Sequence, residues 1–524
     1  MLSREGSMSS LLMALLIAAP IGAGAETADT VTIDSGKVQG VETDGIVSFK
    51  GIPFAMPPLG DLRWRVPQPV TPWGQTLKAN TLSADCIQPQ EASTGAGAAE
   101  NVSEDCLYLN VWVPANAEDK QLPVFFWIYG GGLTKGGATV YPGEGLAAQG
   151  VIVVTSNYRL GRLGFFAHPG VAAEAPDDVY GNYGYMDQLA ALKWVQRNIA
   201  AFGGDPTKVT IAGESAGGGS VIAHLISPLS KGLFRAAIVE SPGLMTARAY
   251  PGPVKPLEVA EGSSIEYAKT LGLTGDDASV LRQLRALPAK TFSEGVLSYA
   301  MAGFGGTQIP GLSSSMIDGR MILESAETAL RNKRQTMVPV IAGANDADLG
   351  VTPGLTKNAL FARFGVLANE ARRVYDPDGD VDVRALLQDI PADCGMVEPS
   401  RYLAEAMTEA GQKAYFYRFG YVAEVMREKV PGAIHAAEVA YAFNVISHLL
   451  GDKATPADLK TAEMVSNYWV NFVKTGDPNG DGLPDWKPYD TKSGDVLNIT
   501  NDGIAYGTDP IKVRLDLCQQ AYLQ

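Results

Sequence analysis

A serine surrounded by glycines is the feature of the sequence that most directly indicates chemistry. Ser215 lies in Gly-Glu-Ser-Ala-Gly, residues 213–217, after the β-branched run of residues 208–213. The run predicts a buried strand, and residues 220–227 are typical of a helix start. G-x-S-x-G between a strand and a helix indicates a nucleophile elbow, a strained turn that exposes the hydroxyl at a helix N-terminus. We therefore expect Ser215 to be a nucleophile; the alternative is a glycine-rich turn with an incidental serine.

A serine hydroxyl needs a base, and the chain has only four histidines. After an elbow of this type the acid and then the histidine follow along the chain, which leaves His435 and His448 as candidates. His435 follows residues 430–433 in a predicted loop, whereas His448 ends an apolar, helix-like stretch. Because a loop histidine can reach over the edge of a sheet, we expect His435 to be the base.

The acid that orients this histidine should follow a strand that lies between the serine and the histidine in the sequence. The apolar run of residues 338–343 is followed by Asp346 and Asp348. Either carboxylate could hold the imidazole in the required tautomer and stabilise its protonated form. The one that does not is expected to form a turn or cap a helix.

A third requirement is a site for the oxyanion that develops when the serine attacks. Residues 129–133, Tyr-Gly-Gly-Gly-Leu, follow a predicted strand that ends at Ile128. Glycines at this place let backbone N–H groups approach a substrate closely, as in HGGG-type motifs. We expect Gly131 and Gly132 to donate these N–H groups together with Ala216, the residue after the nucleophile.

The elements that must position these residues alternate between strands and helices. Such alternation predicts an α/β fold with a mostly parallel central sheet flanked by helices. A segment with period-two alternation and turn glycines, residues 29–55, predicts a small antiparallel sheet at the N-terminus. The predicted strands are 122–130, 150–160, 208–213 and 338–343, and the clearest helical pattern is 185–203.

Several longer motifs together resemble the type-B carboxylesterase family, which also includes the cholinesterases. They extend over nearly the whole chain after its first residues. The resemblance implies an α/β-hydrolase fold and a serine esterase. The motifs are GESAGG (213–218), SEDCLYLNVWVP (103–114), WIYGGG (127–132), NYRLGRLGFF (157–166), MDQLAALKWVQRNIAAFGGDP (186–206), AIHAAEVAYAFN (433–444) and YWVNFVKTGDPNG (468–480).

The resemblance assigns roles to individual residues. Ser215 matches the nucleophile and His435 the base, while the oxyanion donors match Gly131, Gly132 and Ala216. The family acid is usually a glutamate in G-x-N-x-D-E; here the stretch is GANDADLG, which puts Asp348 at the position of the acid. Glu438, three residues after the histidine, matches a family glutamate that supports the loop. The stretch VESPG (239–243) departs from the QSGS of choline-specific members and is expected to alter packing beneath the triad.

The first residues predict export. Arg4 precedes the short apolar run of residues 11–20, and Ala-Gly-Ala at 23–25 suits signal cleavage. We expect residues 1–25 to be a signal peptide and 26–524 to be a single domain in the periplasm or secreted. The apolar run is too short for a membrane anchor.

Four cysteines in an exported chain suggest two disulfides. The family resemblance implies the pairs Cys86–Cys106 and Cys394–Cys518. Between the first pair, residues 87–105 contain no aromatic side chain. Choline-specific relatives hold the quaternary ammonium on a tryptophan in this loop, so a choline ester is not expected as the substrate.

Charge and composition exclude several other classes. The formal net charge of −15, with no clustered basic residues, argues against nucleic acid or an anionic membrane as a partner. The cysteines lack metal-binding spacing, and residues 477–485 lack the glutamate that ends a calcium loop. We expect no metal and no organic cofactor.

The sequence thus predicts a hydrolase for small-molecule esters that works through an acyl-enzyme. Two alternatives stay open at this point. One is a non-catalytic binding protein on a cholinesterase-like fold, since a fold alone does not prove activity. The other is the same triad acting on amides or lactones.

Overall fold

The computed structural model describes residues 27–89, 101–115, 117, 120–243, 255–294, 315–349 and 355–522. The expected signal peptide, residues 1–25, lies outside these ranges. Within them, none of the helices has both the length and the apolar character needed to cross a bilayer.

A large twisted sheet organises the described part of the chain. Thirteen strands join it, in the order β1-β2-β3-β7-β9-β8-β10-β11-β14-β15-β16-β17, with β4 paired to β2. The strands are β1 (Thr27–Ile33), β2 (Gly36–Thr43), β3 (Ile46–Pro53), β4 (Leu77–Lys78), β5 (Asp85–Cys86), β6 (Val102–Ser103), β7 (Tyr108–Pro114), β8 (Leu122–Ile128), β9 (Ile152–Ser156), β10 (Gly204–Glu214), β11 (Ala236–Glu240), β12 (Lys255–Pro256), β13 (Met316–Ile317), β14 (Val340–Asn345), β15 (Ala414–Gly420), β16 (Asp495–Thr500) and β17 (Gly503–Thr508).

The centre of this sheet is parallel, as the sequence predicts. Strands β9, β8, β10, β11, β14, β15 and β16 run in one direction. All four predicted apolar runs form strands of this group, and their side chains are mostly buried because both faces of the sheet are covered. The carboxyl ends of parallel strands meet at one edge, which is where the candidate site residues lie.

The N-terminal antiparallel region is also confirmed. Strands β1, β2 and β3 pair antiparallel, and β3 then pairs antiparallel with β7. Since β7 continues to β9, this region forms one edge of the main sheet.

Helices connect the strands. The predicted helix at 185–203 is observed as α4 followed by a 3₁₀ turn at Ile199–Phe202. The helices are α1 (Glu144–Ala147), α2 (Gly161–Gly164), α3 (Pro169–Glu174), α4 (Tyr183–Asn198), α5 (Ala216–Ile226), α6 (Leu257–Thr270), α7 (Ala278–Ala286), α8 (Ala326–Arg331), α9 (Lys357–Ala362), α10 (Ala368–Tyr375), α11 (Val383–Ala392), α12 (Glu398–Glu409), α13 (Val439–Ala442), α14 (Ile446–Leu450), α15 (Pro456–Thr475) and α16 (Lys512–Tyr522).

Helix α5 begins earlier than the sequence pattern indicates. We expected its start near residue 220, but the first helical residue is Ala216. The turn between β10 and α5 consists of Ser215 alone, and the three glycines that follow it are helical despite their low propensity. Helix α5 packs against β10, β11 and β8, which explains why small residues occupy its first turn.

Both cysteine pairs are joined. Cys86 is bonded to Cys106, and Cys394 to Cys518. The second bond ties a π-helical turn, Asp393–Val397, to α16.

Candidate active site

Ser215 has the backbone conformation of a strained elbow. Its φ of 57° and ψ of −124° lie in a region that non-glycine residues rarely adopt. The turn is held by the Ser215 N–H, which donates to the carbonyl of Glu240 at 2.9 Å. A Cβ on Gly217 would lie 2.0 Å from the carbonyl oxygen of Ile128, so this position requires glycine. The tight packing around the turn fixes the hydroxyl above the end of β10.

His435 lies within hydrogen-bond distance of this hydroxyl. Its Nε2 is 2.8 Å from the Oγ of Ser215, and its Nδ1 is 2.5 Å from Oδ1 of Asp348. The His435 side chain is 17% accessible to solvent, so the imidazole is mostly buried but still reachable from outside. The other candidate, His448, is exposed on α14. This arrangement lets one nitrogen accept the serine proton while the other donates to the carboxylate.

The structure distinguishes the two aspartates that the sequence left open. Asp348 is 1% exposed, and its Oδ2 accepts hydrogen bonds from the Ser241 hydroxyl at 2.7 Å and the Asn345 N–H at 3.0 Å. Its Oδ1 accepts from the Leu349 N–H at 2.7 Å as well as facing His435. These donors fix the carboxylate in one orientation behind the imidazole.

Asp346 faces the loop that precedes the histidine. Its Oδ1 accepts a hydrogen bond from the N–H of Ala433 at 2.7 Å. Beside it, Ala347 forms a bridge with Ile434, in which the Ala347 N–H donates to the Ala433 carbonyl at 3.0 Å. Asp346 therefore holds the His435 loop against the end of β14 and does not contact the imidazole.

The glycine loop after β8 packs against the nucleophile. A Cβ on Gly130 would lie 2.9 Å from the Cβ of Ser215, so the loop lies directly over the elbow. Gly131 and Gly132 have φ values of 102° and 66°, which favour glycine. Across the described residues, the N–H groups of Gly131, Gly132 and Ala216 donate to no other group. They remain available to an oxygen placed beside Ser215.

The first disulfide loop supports this glycine loop. Gln88, two residues after Cys86, accepts from the Gly136 N–H and donates to the Gly136 carbonyl, both at 2.9 Å. The Thr134 and Lys135 N–H groups in turn donate to the carbonyl of Gly131 at 3.1 Å. The segment that carries the candidate oxyanion donors is thereby anchored at Gly136 and closed by hydrogen bonds to the Gly131 carbonyl.

Sequence analysis did not identify Glu214 as part of the site. It precedes the nucleophile and is 1% exposed, with its Oε1 3.1 Å from Nε2 of His435. The contact lacks the geometry of a hydrogen bond, and within the described residues this oxygen has no hydrogen-bond partner. The sequence could have indicated it, because Glu214 is the acidic residue directly before the serine of the G-x-S-x-G motif. Ser241 and Asn345 were also missed, because only the folded chain shows that they contact Asp348.

Charges around the imidazole shift the pKa values of the site. Burial lowers the pKa of His435, but the carboxylates of Glu214 and Asp348 raise it, to about 10. Burial raises the pKa of Asp348, yet the charge and hydrogen bond of His435 bring it below its usual value. Burial raises the pKa of Glu214 to about 8, although His435 opposes the shift. The pKa values of Glu214 and His435 therefore depend on each other's charge.

Glu438 supports the histidine loop, as the family resemblance implies. The side-chain amide of Asn345 donates to the Glu438 carboxylate at 2.5 Å and to the carbonyl of Ile434 at 2.7 Å. Asn345 therefore links the end of β14 to residues on both sides of His435.

In the described part of the chain, no set of three or more histidine, cysteine, aspartate or glutamate side chains has an arrangement that could hold a metal ion. In the acidic stretch at 477–485, Asp477 Oδ1 accepts from the N–H and side-chain amide of Asn479. Asn479 in turn exchanges hydrogen bonds with the backbone of Trp486. These hydrogen bonds connect the side chains of Asp477 and Asn479 to each other and to the backbone of Trp486.

Comparisons with known proteins agree with this geometry. The model described as "Carboxylesterase family" matches residues 27–515. Fumonisin B1 esterase from Sphingopyxis macrogoltabida is 35% identical over 523 residues, covering 95% of this chain and 92% of the relative. Carboxylesterase 1D from Mus musculus is 35% identical over 499 residues, covering 86% and 85%. A solved structure of PNB esterase has a TM-score of 0.79 and 29% identity, covering 94% of this chain and 99% of that one.

Proposed function

Because the chain belongs to the carboxylesterase family and is a carboxylic ester hydrolase, we propose that it cleaves esters through an acyl-enzyme on Ser215, with His435 as base and Asp348 as acid. The observation that carries this proposal is the pair of contacts on the imidazole, 2.8 Å to the serine Oγ and 2.5 Å to the aspartate Oδ1. Two contacts on opposite nitrogens of one ring are what a serine–histidine–acid triad requires.

Acylation begins when the Ser215 Oγ attacks the carbonyl carbon of the ester. The hydroxyl proton passes to Nε2 of His435, and the positive imidazolium is stabilised by Asp348. The tetrahedral oxyanion forms next to the free N–H groups of Gly131, Gly132 and Ala216. Each such donor stabilises the transition state by about 3–4 kcal/mol.

The alcohol leaves with the proton held on His435, and the acyl group stays on Ser215. A water molecule then enters, and His435 takes its proton as the oxygen attacks the acyl carbon. Collapse of the second tetrahedral intermediate releases the acid and returns the proton to the serine. All proton transfers use the same nitrogen, Nε2, so the chemistry needs no metal or organic cofactor.

The proposed substrate is a small-molecule carboxylic ester. The alternative of a non-catalytic binding protein does not fit a chain whose relatives are esterases and whose Ser215 Oγ lies 2.8 Å from Nε2 of His435. A choline ester is not the proposed substrate, because residues 87–105 contain no aromatic side chain to hold a quaternary ammonium.

Export is part of the proposal. The basic and apolar start of the sequence and its Ala-Gly-Ala site at 23–25 support a cleaved signal. The bonds Cys86–Cys106 and Cys394–Cys518 also support this, since disulfides persist in oxidising compartments. Mass spectrometry of the protein recovered from a periplasmic or culture fraction tests it: an N-terminus near Glu26 is expected.

The test of the catalytic proposal uses the purified mature chain with p-nitrophenyl acetate and p-nitrophenyl decanoate. We expect turnover of at least one ester, a burst of p-nitrophenol, and a mass increase on Ser215 after acid quenching. Ser215→Ala should lose both the turnover and the added mass while keeping the wild-type thermal transition. A p-nitroanilide and a γ-lactone, assayed in parallel, test the amide and lactone alternatives. Folded wild-type protein that turns over none of the esters would contradict the proposal.

A further inference from the structure

Lys135 places a positive charge next to the glycine loop that carries the candidate oxyanion donors. Its backbone N–H donates to the carbonyl of Gly131 at 3.1 Å. Its Cγ lies 3.1 Å from the position that a Cβ on Gly131 would take, so the side chain starts directly beside this glycine. Because three single bonds of about 1.5 Å join Cγ to Nζ, the ammonium lies within about 4 Å of that carbon. The charge is therefore within about 10 Å of the Gly131 N–H.

This ammonium has no partner of opposite charge in the described part of the chain. Lys135 forms no ion pair there, and its side chain makes no hydrogen bond. The chain contains 57 aspartate and glutamate residues against 42 lysines and arginines, so carboxylates are abundant. Other buried cations do find one: Arg159 pairs with Asp187 at 2.7 Å, and Arg401 with Glu398 at 2.7 Å. Lys135 differs from them in being left unpaired.

A partly buried ammonium without a partner is unfavourable. Its removal from water weakens its hydration, and proteins offset this loss with a carboxylate or another hydrogen-bond acceptor. Lys135 is partly buried and has neither among the described residues. Burial lowers the pKa of Lys135, and no neighbouring carboxylate there raises it. Since the burial is incomplete, the ammonium stays charged at neutral pH, and its three N–H donors are available to an external anion.

The surroundings of Lys135 favour a carboxylate as this anion. No second lysine or arginine acts on Lys135 in the described part of the chain, so the site supplies a single positive charge. A phosphate group carries nearly two negative charges and is held best by several donors, whereas a carboxylate carries one. A carboxylate joined to the ester by a short carbon chain would lie within reach of Nζ while the ester carbonyl is held at Gly131.

We propose that Lys135 is a specificity-determining residue that binds a free carboxylate on the substrate, so that the preferred esters carry one negative charge close to the scissile bond. The inference rests on the proposed function, in which Gly131 and Gly132 hold the ester oxygen. It also agrees with the first disulfide loop: residues 87–105 offer no aromatic ring to a cationic substrate, and the charge of Lys135 would repel one.

The test compares charged esters with neutral counterparts in a pH-stat, which titrates the acid that is released. Monoethyl glutarate carries the carboxylate on the acyl side, and ethyl hexanoate is its neutral counterpart. The compound 4-acetoxybutanoate carries it on the alcohol side, with pentyl acetate as the counterpart. The readout is the ratio of kcat/KM for a charged ester to that for its counterpart. In Lys135→Met this ratio should fall by about 10- to 100-fold for one pair, because a hydrogen bond to a charged group is lost.

The pair that responds shows whether Lys135 faces the acyl or the alcohol group, and two further variants separate charge from packing. Lys135→Arg keeps the charge and should retain most of the wild-type ratio. Lys193→Met removes an exposed lysine on α4 and should leave the ratio unchanged. If both ratios stay at their wild-type values in Lys135→Met, the lysine only extends to solvent and the inference is wrong. An equal loss in Lys135→Met and Lys135→Arg would also overturn it, since charge would not be the cause.

Binding to Ser215→Ala gives a second readout that does not depend on turnover. Calorimetry with monoethyl glutarate and 4-acetoxybutanoate should show that adding Lys135→Met weakens the binding of one of them by at least about ten-fold. Adding Lys193→Met should leave the affinity unchanged. Unchanged affinity in the Lys135→Met background overturns the role of Lys135. Weakened binding there, in a protein without Ser215-dependent turnover, contradicts only the proposed function.

Discussion

Asp346 accepts a hydrogen bond of 2.7 Å from the backbone N–H of Ala433, two residues before the proposed catalytic base, His435. Two aspartates separated by one residue therefore act on the same loop in different ways. Asp346 fixes its backbone, and Asp348 contacts its imidazole. The distinction matters because both carboxylates are largely buried and both follow β14.

Asparagine substitutions should separate these two roles. Asp348→Asn offers a neutral amide to Nδ1 of His435 and favours the wrong tautomer, so kcat should fall by about 10⁴. Asp346→Asn keeps an oxygen for the Ala433 N–H, so kcat should change by less than about ten-fold and the main effect should be on stability. Steady-state kinetics and thermal unfolding of both variants provide the measurement. Equal losses of kcat would contradict the assignment of Asp348.

Much of this site could be predicted from the sequence because its signals are local. The elbow at Ser215 and the glycines after Ile128 are contiguous motifs with a fixed structural context, and His435 followed from chain order. The acid was harder, since Asp346 and Asp348 both follow the same strand. On strand β14 and in the turn after it, the side-chain direction depends on tertiary contacts with Ser241 and Ala433.

The fold was predictable to a similar degree. Buried parallel strands such as β8 and β10 are continuous apolar runs, so they stand out in the sequence. The start of α5 was placed too late because three glycines argue against a helix. The packing of α5 on β10 and β11 overrides that preference. Glu214 and Glu240 could not be linked from the sequence, since their proximity arises from strand register.

Gly217 should tolerate no side chain. In Gly217→Ala the new Cβ would lie 2.0 Å from the carbonyl oxygen of Ile128 and 2.9 Å from a backbone carbon of Tyr129, and neither backbone atom can move aside cheaply. We expect loss of activity and a marked drop in thermal stability. Gly262→Ala on α6 is the matched control, because no atom lies within 4 Å of its Cβ position. It should be neutral or stabilise the protein by up to about 1 kcal/mol. Wild-type activity in Gly217→Ala would show that the elbow is not as tight as described.

The pH dependence of kcat/KM should indicate that Glu214 is uncharged at neutral pH in the wild-type enzyme. The rate rises with pH as His435 loses its proton, and an ionised Glu214 would move this limb to higher pH because its charge raises the pKa of His435. Burial raises the pKa of Glu214 to about 8, so below that pH its charge is largely absent. We therefore expect little movement of the acidic limb in Glu214→Gln. A limb that falls by several units in this variant would mean that Glu214 is ionised. Profiles of kcat/KM from pH 5 to 10 decide between the two.

Gln88 should affect catalysis although it lies outside the triad. Its side chain exchanges two hydrogen bonds with Gly136, at the far end of the loop that carries Gly131 and Gly132. In Gln88→Ala this loop loses its anchor, so the oxyanion donors are less well fixed. We expect kcat to fall roughly ten-fold with little change in KM, which is less than the loss of one donor outright. Gln149→Ala, which breaks hydrogen bonds to Gly145 and Ser466 away from the site, is the control. Equal kcat values in the two variants would show that the anchor does not act on the oxyanion donors.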